Sequence, residues 1–275
     1  MRVQLLQPNP LDPEHIDHTV LYAILPECDF AGFLKLQQRL WQLRYRQKIP
    51  QILIFTTHHP CYSLGSRDRN NPARYFKVPI QEDGGALSCN GIPIVPTVPL
   101  RGGGVTYHGP EVLGCYTIFG HLPYTPGNYF EFSNLTLEIF FLSIGLGRPT
   151  HYDSTPDLWI ANKKLVSMAI RYRTGQNMVC YGFDLNVGGN LTPFASIYPC
   201  GVVDEKAGVT SLEQELYRSF DPKDVAEHLS TGMADALPDL TFVQSDEEAL
   251  LAMLELEEFI EESSLSGTLL RINAS

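Results

Sequence analysis

The feature that most constrains this chain is a glycine-rich run, Arg101-Gly102-Gly103-Gly104-Val105-Thr106-Tyr107-His108-Gly109-Pro110. Three consecutive glycines let the backbone approach a ligand closely, because no Cβ stands in the way and positive φ costs little. An extended, proline-punctuated run (92–100) precedes it, and an apolar run (113–119) follows it. The pattern therefore predicts a tight loop between two strands, although glycine triplets also occur in ordinary turns.

The chain's size and composition predict a globular protein. Its 275 residues fit one large domain, or a domain with an appendage, and 44% of them are hydrophobic. No apolar run approaches the ~20 residues that a membrane span requires, and the first residues lack the apolar core of a secretory signal. We therefore expect a soluble, cytoplasmic protein that does not enter a membrane.

The cysteines and histidines do not follow any familiar metal-binding or disulfide pattern. The six cysteines form no CxxC pair and show no regular spacing, so reduced thiols are expected. His58 and His59 are adjacent, with no HExxH motif or Cys-His cluster around them. The sequence predicts neither a metal site nor a cofactor.

Negative charge is concentrated at the C-terminus. Residues 244–275 contain eight acids and one base, a net charge of −7 out of −11 for the whole chain. Because phosphate binding requires a basic face, nucleic acid is not an expected partner. We divide the chain into a body (1–243) and an acidic extension (244–275), in which Asp246 begins an amphipathic helix. That helix is either a solvated element packed on the body or a docking element.

Hydrophobic periodicity predicts the main helices and strands. Helices are expected at 30–47, from Ser133 to about 145, at 209–217 and at 223–237, with Leu135, Ile139 and Leu142 buried in the second of them. Strands are expected at 18–25, 51–57, 157–161, 165–173 and 178–187, the last three joined by two hairpins. Residues 66–91 are rich in charged and turn-forming residues, which predicts a long loop.

Two residue types could carry chemistry. Cys200 lies between Pro199 and Gly201 in a predicted loop, where a substrate could approach it, but a structural cysteine is a common alternative. A reactive thiol must be a thiolate, which requires a nearby cation or base. Lys163 and Lys164 start a predicted strand, and one of them could meet the Cys200 loop; the alternative is a pair of exposed turn lysines.

Several of these stretches together resemble the lipoyl(octanoyl) transferases, the lipoate-protein ligase B family. The resemblance covers about residues 18–243 and keeps the family's order of motifs. The motifs are the run from Arg101 to Pro110, Lys164 on a strand, Phe194-Ala-Ser-Ile-Tyr-Pro-Cys-Gly201, His59-Pro-Cys-Tyr-Ser-Leu-Gly65, Asp184-Leu-Asn-Val187 and Val209-Thr-Ser-Leu212.

The resemblance implies a fold, a reaction and partners. The fold would be α/β (α+β), with mixed sheets and flanking helices, of the type shared by biotin and lipoate ligases. The enzyme would be an acyltransferase that moves an octanoyl or lipoyl group from acyl carrier protein to a lysine. The acceptors would be the lipoyl domains of 2-oxoacid dehydrogenases and the H protein of glycine cleavage. A thioester donor is already activated, so the reaction needs no ATP.

The resemblance also assigns roles to residues. Cys200 would be the nucleophile that carries the acyl group as a thioester, and Lys164 its acid/base partner. Gly182 falls in a Tyr181-Gly182 pair where the family usually has His-Gly. The residues implied to shape the substrate site are Arg101, Gly102, Gly103, Gly104, Tyr107, His108, His59 and Gly182.

Two other functions remain open from the sequence. One is an ATP-dependent ligase for lipoate or biotin, which shares the fold and a glycine-rich loop but needs no nucleophilic cysteine. The other is a catalytically silent module that binds acyl carrier or lipoyl domains. Cys200 and Lys164 argue against the silent module, because a binding module requires neither a nucleophile nor a proton carrier.

Overall fold

Two mixed β-sheets organise the computed structural model, which describes residues 16–65, 71–97, 104–120, 126–151, 156–173, 178–198 and 207–254. The strands are β1 (Thr19–Ile24), β2 (Gln51–Thr56), β3 (Cys61–Leu64), β4 (Gln81–Asp83), β5 (Ala86–Cys89), β6 (Ile92–Pro96), β7 (Val105–His108), β8 (Val112–Gly120), β9 (Leu158–Ile160), β10 (Lys163–Arg173), β11 (Met178–Asn186), β12 (Gly208–Val209) and β13 (Thr241–Ser245). The α-helices are α1 (Phe30–Tyr45), α2 (Pro126–Ser143), α3 (Leu212–Leu216) and α4 (Pro222–Ala236). Residues 247–254 are also helical.

The larger sheet has the strand order β12-β10-β11-β8-β2-β1-β13, with β9 paired to β10. Its centre is antiparallel, from β2 through β8 and β11 to β10, whereas β1 runs parallel to both β2 and β13. The smaller sheet has the order β4-β5-β6-β3-β7. This mixed α/β architecture confirms the fold class implied by the sequence.

The larger sheet separates two hydrophobic cores. Alternate side chains on a strand point to opposite faces, so Leu53 and Phe55 of β2 join one core, and Ile52 and Ile54 join the other. Helices α2 and α4 cover the first core; α1 and residues 247–254 contribute to the second. Every residue of β8 is buried, because this strand has helices on both faces and strands on both sides.

Helix α1 is capped at its N-terminus and fixed to the larger sheet near its C-terminus. The Asp29 carboxylate caps its N-terminus by accepting from the Gly32 N–H at 2.6 Å. Near its C-terminus the buried Arg44 donates to the Ile49 and Gly120 carbonyls, each at 2.9 Å, and pairs with Asp17. Burial lowers the pKa of Arg44, and the contact with Asp17 opposes that shift. The contacts of Arg44 fix the position of α1 on the larger sheet.

The structure corrects two predicted loops. Residues 66–91 contain a 3-10 helix (Pro72–Tyr75) and the strands β4 and β5, which have three and four residues and are therefore too short to show a hydrophobic period. The second half of the glycine-rich run is also a strand, β7, because its backbone pairs with β3. The predicted loop between two strands therefore ends by Gly104, the first described residue of that run.

The buried face of α2 also differs from the prediction. The helix begins at Pro126, so Ser133 lies inside it and does not cap it. Its buried residues include Leu137, Phe140 and Phe141, whereas Leu135, Ile139 and Leu142 are 49%, 50% and 48% exposed. Both stripes are apolar and have helical spacing, so periodicity alone identifies the helix but does not choose the face that packs on the sheet.

Most other predicted elements are confirmed. The first helix, the strands near 18–25 and 51–57, and the hairpin between β9 and β10 are present, and Ser211 caps α3. Asp246 caps the helical residues 247–254 by accepting from the Ala249 N–H at 2.8 Å, and Leu250 is buried in the second core. Strand β13 was not predicted. The boundary between 243 and 244 stays a prediction.

The described residues contain neither a membrane-spanning helix nor a cluster of metal-binding side chains. None of the helices there is long and apolar enough to cross a membrane. Nor do His, Cys, Asp and Glu side chains in that part of the chain gather in a group of three or more that could hold a metal ion.

A substitution at Gly182 would test how closely the central strands β8 and β11 pack. A Cβ at this position would lie 2.1 Å from the Cys115 carbonyl oxygen on β8. We expect Gly182→Ala to lower the free energy of unfolding by roughly 3 kcal/mol or more, because strand backbone would have to move. Urea denaturation measures the change.

The matched control is Gly232→Ala in α4. Its Cβ would lie 3.4 Å from the Thr136 side chain, an ordinary contact. Alanine favours helix over glycine by up to ~1 kcal/mol, so this variant should be at least as stable as the parent. Equal stability of the Gly182→Ala variant and the parent would contradict the packing described for β8 and β11.

Candidate active site

Lys164, at the start of β10, is a buried cation. Its side chain is 1% exposed, and its Nζ lies 2.6 Å from Oδ2 of Asp157, whose side chain is 2% exposed. The Nζ also lies 5.2 Å from the centre of the Trp159 ring, a cation–π distance. The second carboxylate oxygen of Asp157 accepts from the Met168 N–H at 2.8 Å. A charged amine with these partners can be buried, because its charge is compensated.

The backbone of Lys164 is held as well as its side chain. Strand β12 pairs with Lys163 and Lys164, and the Thr210 N–H donates to the Lys164 carbonyl at 2.9 Å. The Asn186 amide donates to the Thr210 carbonyl at 2.9 Å and contacts the Lys164 carbonyl at 3.4 Å. The end of β11 is thereby tied to the start of β10.

The neighbouring Lys163 has a different environment. Its side chain is 52% exposed, and its Nζ lies 3.7 Å from the Glu215 carboxylate. Successive residues of a strand face opposite sides, which separates the two lysines. The prediction of a pair of exposed turn lysines therefore holds for Lys163 and is wrong for Lys164.

Cys200 lies outside the described residues, as do Arg101, Gly102 and Gly103. The described chain stops at Tyr198, whose N–H donates to the Tyr75 carbonyl at 2.8 Å. The described chain resumes at residue 207. The next residue, Gly208 of β12, pairs with Lys163 of β10. The first described strand after this gap, β12, therefore pairs with the strand that carries Lys164.

His108 lies between a hydroxyl and a carboxylate. Its Nε2 is 2.8 Å from the Ser63 Oγ, and its Nδ1 is 3.5 Å from Asp184 Oδ1. All three side chains are buried, and the ring stacks on Phe30 at a centroid distance of 4.2 Å. Neither Asp184 oxygen accepts a hydrogen bond from the described residues. At 3.5 Å, the contact between Nδ1 and Oδ1 is longer than an ordinary hydrogen bond.

His58, which the resemblance did not include, is the histidine that joins this cluster. Its Nε2 lies 2.7 Å from the Tyr116 hydroxyl, and its ring packs edge-on to His108 at 5.6 Å. Burial and the neighbouring His108 lower its pKa from 6.5 to about 3. The structure does not bring His59 there: its side chain is 63% exposed and lies 3.8 Å from Glu27.

The other described residues that the resemblance assigns to the site are Tyr107, Gly104 and Gly182, and the structure shows packing and backbone contacts within the fold for them. Tyr107 is buried against Phe194 and Tyr62, and burial raises the pKa of its hydroxyl. The Gly104 carbonyl accepts from the Gly65 N–H at 3.0 Å. Gly182 allows β11 to approach β8 closely.

The chain matches the family model described as the lipoyl protein ligase A/B catalytic domain over residues 29–234. It is 32% identical over 211 residues to the octanoyltransferase of Caldicellulosiruptor bescii, covering 75% of this chain and 86% of that protein. It is 29% identical over 207 residues to the mitochondrial octanoyl-[acyl-carrier-protein]:protein N-octanoyltransferase of Danio rerio, covering 74% and 86%.

This chain belongs to the lipoyl protein ligase A/B catalytic domain family. Within that family it groups with the octanoyltransferases, so the implied acyltransferase class is confirmed.

Solved structures agree with this assignment at the level of the fold. A lipoate protein ligase from T. acidophilum, solved with bound lipoic acid, has a TM-score of 0.61 at 16% identity, covering 86% of this chain and 93% of that chain. A lipoate-protein ligase A bound with ATP has a TM-score of 0.59 at 18% identity, covering 87% and 93%.

The low pKa of His58 gives a prediction about acid stability. Between pH 6.5 and pH 3 the unfolded chain binds a proton at this residue that the folded chain does not, so stability falls as pH falls. From pH 6.5 to pH 5 this residue should lower the free energy of unfolding by about 2 kcal/mol. In a His58→Gln variant, urea unfolding at several pH values should show a shallower pH dependence.

The adjacent, exposed His59 is the matched control. His59→Gln should keep the pH dependence of the parent protein. If the His58→Gln variant also kept the full slope between pH 6.5 and pH 5, the neutral, buried state of His58 would be contradicted.

Proposed function

We propose that this protein transfers an octanoyl group from acyl carrier protein to a lysine of a lipoyl domain, through a thioester on Cys200. Family membership and the octanoyltransferase relatives support the reaction class. The Danio rerio relative, an octanoyl-[acyl-carrier-protein]:protein N-octanoyltransferase, supports the acyl-carrier-protein donor. Among possible acceptors we favour the lipoyl domains of 2-oxoacid dehydrogenases and the H protein of glycine cleavage, in a soluble, cytoplasmic setting.

The observation that carries the proposal is the burial of Lys164 with a compensating carboxylate. A lysine at a strand start would normally extend into water, since leaving water is costly for an ammonium. Here the cation is kept inside, on the strand that pairs with β12, and β12 begins eight residues after Cys200 in the sequence. A fixed positive charge is what a cysteine needs to remain a thiolate.

The first half-reaction forms the acyl-enzyme. The Cys200 thiolate attacks the thioester carbonyl of the donor, which forms the Sγ–carbon bond and breaks the bond from carbon to the pantetheine sulfur. The leaving sulfur takes a proton from the Lys164 ammonium. The products are octanoyl-Cys200, a free pantetheine thiol and a neutral Lys164. No nucleotide is consumed, because the donor thioester already supplies the free energy.

The second half-reaction releases the product and restores the enzyme. The neutral amine of the acceptor lysine attacks the octanoyl carbon, so a nitrogen–carbon bond forms and the carbon–Sγ bond breaks. Cys200 leaves as a thiolate, and the amine proton passes to Lys164. The ammonium and thiolate of the resting enzyme are thereby regenerated. Lys164 thus gives a proton in one step and takes one in the other.

His108 and His58 suit a role in binding substrate groups and forming hydrogen bonds, and not in proton transfer. They are buried, packed on each other and on Phe30, and held by hydrogen-bond partners. We assign His108 and Tyr107, with the run from Arg101 to Gly104, to the binding of the acyl and pantetheine groups. The pKa of about 3 keeps His58 neutral at physiological pH, so it acts as a hydrogen-bonding group and not as a cation.

The two adjacent lysines test the proposal. Lys164→Met should slow nucleotide-free transfer from octanoyl-acyl carrier protein to a lipoyl domain by ~10²–10⁴-fold, the usual contribution of a general acid–base group. Lys163→Met should have little effect, because that side chain is exposed. Steady-state transfer is followed by the mass of the lipoyl domain.

The folding of each variant requires a separate check. Lys164→Met leaves the Asp157 carboxylate buried without its partner, which typically costs ~3–5 kcal/mol. Rates should therefore be measured at a temperature where unfolding curves show both variants to be folded. Equal losses at the two lysines would contradict the role given to Lys164, and a requirement for ATP would favour the ligase alternative.

A further inference from the structure

Asp157 lies between the end of a segment outside the described residues and the start of β9, in the sequence Pro156-Asp157-Leu158-Trp159. Nothing in the sequence marks it, because a single acid before an apolar strand usually lies at a surface turn. In the structure its side chain is 2% exposed. A carboxylate that is this deeply buried must be compensated by cations or hydrogen-bond donors.

Each oxygen of Asp157 has a defined partner. One oxygen lies 2.6 Å from the Lys164 Nζ, and the other accepts from the Met168 N–H at 2.8 Å. The pairing of β9 with β10 shifts in register between Lys164 and Val166, so the strand is irregular just beyond the lysine. The contact to Met168 anchors the carboxylate beyond that irregularity. Asp157 is therefore fixed by the backbone of the same strand that carries Lys164.

The flexible side chain of Lys164 is thereby restrained along its length. Its four-carbon stem would otherwise sample many rotamers, and each lost rotamer has an entropic cost. The short contact with Asp157 and the adjacent Trp159 ring restrict where the Nζ can lie. The other acid that the structure places near this strand start, Glu215, instead lies 3.7 Å from the Nζ of Lys163.

We propose that Asp157 is a positioning residue for acyl transfer, which holds the Nζ of Lys164 in place and favours its ammonium form. The inference rests on the proposed function of Lys164. It explains why the resting enzyme keeps a charged lysine in a buried site, and why the proton returns to Lys164 after the acceptor amine attacks. The two oxygens of Asp157 contact the Lys164 Nζ and the Met168 N–H, so its effect passes through Lys164.

The test is a double-mutant cycle in the full-length protein. Asp157→Asn keeps an oxygen for the Met168 N–H but removes the charge. We expect kcat to fall by roughly 10–100-fold, less than for loss of the acid–base group itself, with an unchanged KM for octanoyl-acyl carrier protein. In a Lys164→Met background the same substitution should change kcat by less than about threefold, because a residue that acts through another loses its effect when that residue is absent.

Asp221→Asn is the matched control for the chemical change. Asp221 caps α4 by accepting from the Lys223 N–H at 2.8 Å, and asparagine caps helices about equally well. Its kcat should equal that of the parent. This control separates the loss of the Lys164 contact from a general effect of removing one carboxylate.

The outcomes separate this inference from the proposed function. If Lys164→Met lost activity while Asp157→Asn kept full kcat, the positioning role would be overturned and the proposed function would stand. Equal fold-losses from Asp157→Asn in both backgrounds would show a structural effect that does not pass through Lys164, and would also overturn it. Full activity of Lys164→Met would overturn both.

A measurement on the parent protein does not depend on the folding of the variants. In protein labelled with ¹⁵N-lysine, the Nζ ammonium of Lys164 should give a slowly exchanging NMR signal at neutral pH, because water cannot reach it. Lys163, which is exposed, serves as the internal comparison. A Lys164 signal that exchanged as fast as that of Lys163 would contradict the fixed ammonium.

Discussion

The interaction on which the site depends is the buried ion pair between Lys164 and Asp157. Moving either charge from water into the interior alone is strongly unfavourable, and the two together are tolerated because they compensate each other at 2.6 Å. Such a pair is weak evidence for stability, since apolar residues of similar volume often serve as well. Its presence at the start of β10 supports the catalytic role that we propose for Lys164.

The rest of the scaffold keeps that cation in one place. The fully buried β8 and the close approach of β11 at Gly182 form a rigid centre, and β10 is paired directly to it. Asn186, at the end of β11, bonds to Thr210 beyond β12 and contacts the Lys164 carbonyl. A site built on paired strands holds its groups more precisely than one built on loops.

Many helices and strands could be predicted from the sequence, because local patterns of hydrophobic residues indicate them. The period of α1 and the alternation in the central strands are visible in any window of the chain. The strands β4 and β5 were missed because three or four residues are too few to show a period. The face of α2 was wrong because both of its stripes are apolar, so the choice depends on which neighbour packs there. The formation of the short strands and the buried face of α2 both depend on tertiary contacts.

The site was predicted unevenly for the same reason. Motif resemblance led to Lys164 and His108, whose positions in the chain are distinctive. It did not lead to Asp157, and it included Asp184 only as the first residue of a motif without a role, because the contacts that make these acids notable join separate strands. The choice between the adjacent His58 and His59 likewise requires knowing which of them faces the interior. The resemblance identifies the residues that could react, whereas the structure identifies the acidic residues that lie beside them.

The most direct test of the account is the covalent state of Cys200. After incubation with octanoyl-acyl carrier protein and no acceptor or nucleotide, intact-mass spectrometry should show one octanoyl group per chain. Peptide mapping should locate it on Cys200, and hydroxylamine should remove it, as expected of a thioester. Cys200→Ser should lack this thioester and nearly all turnover. An active enzyme whose Cys200 stayed unmodified, or a Cys200→Ser variant with full transfer, would contradict the account.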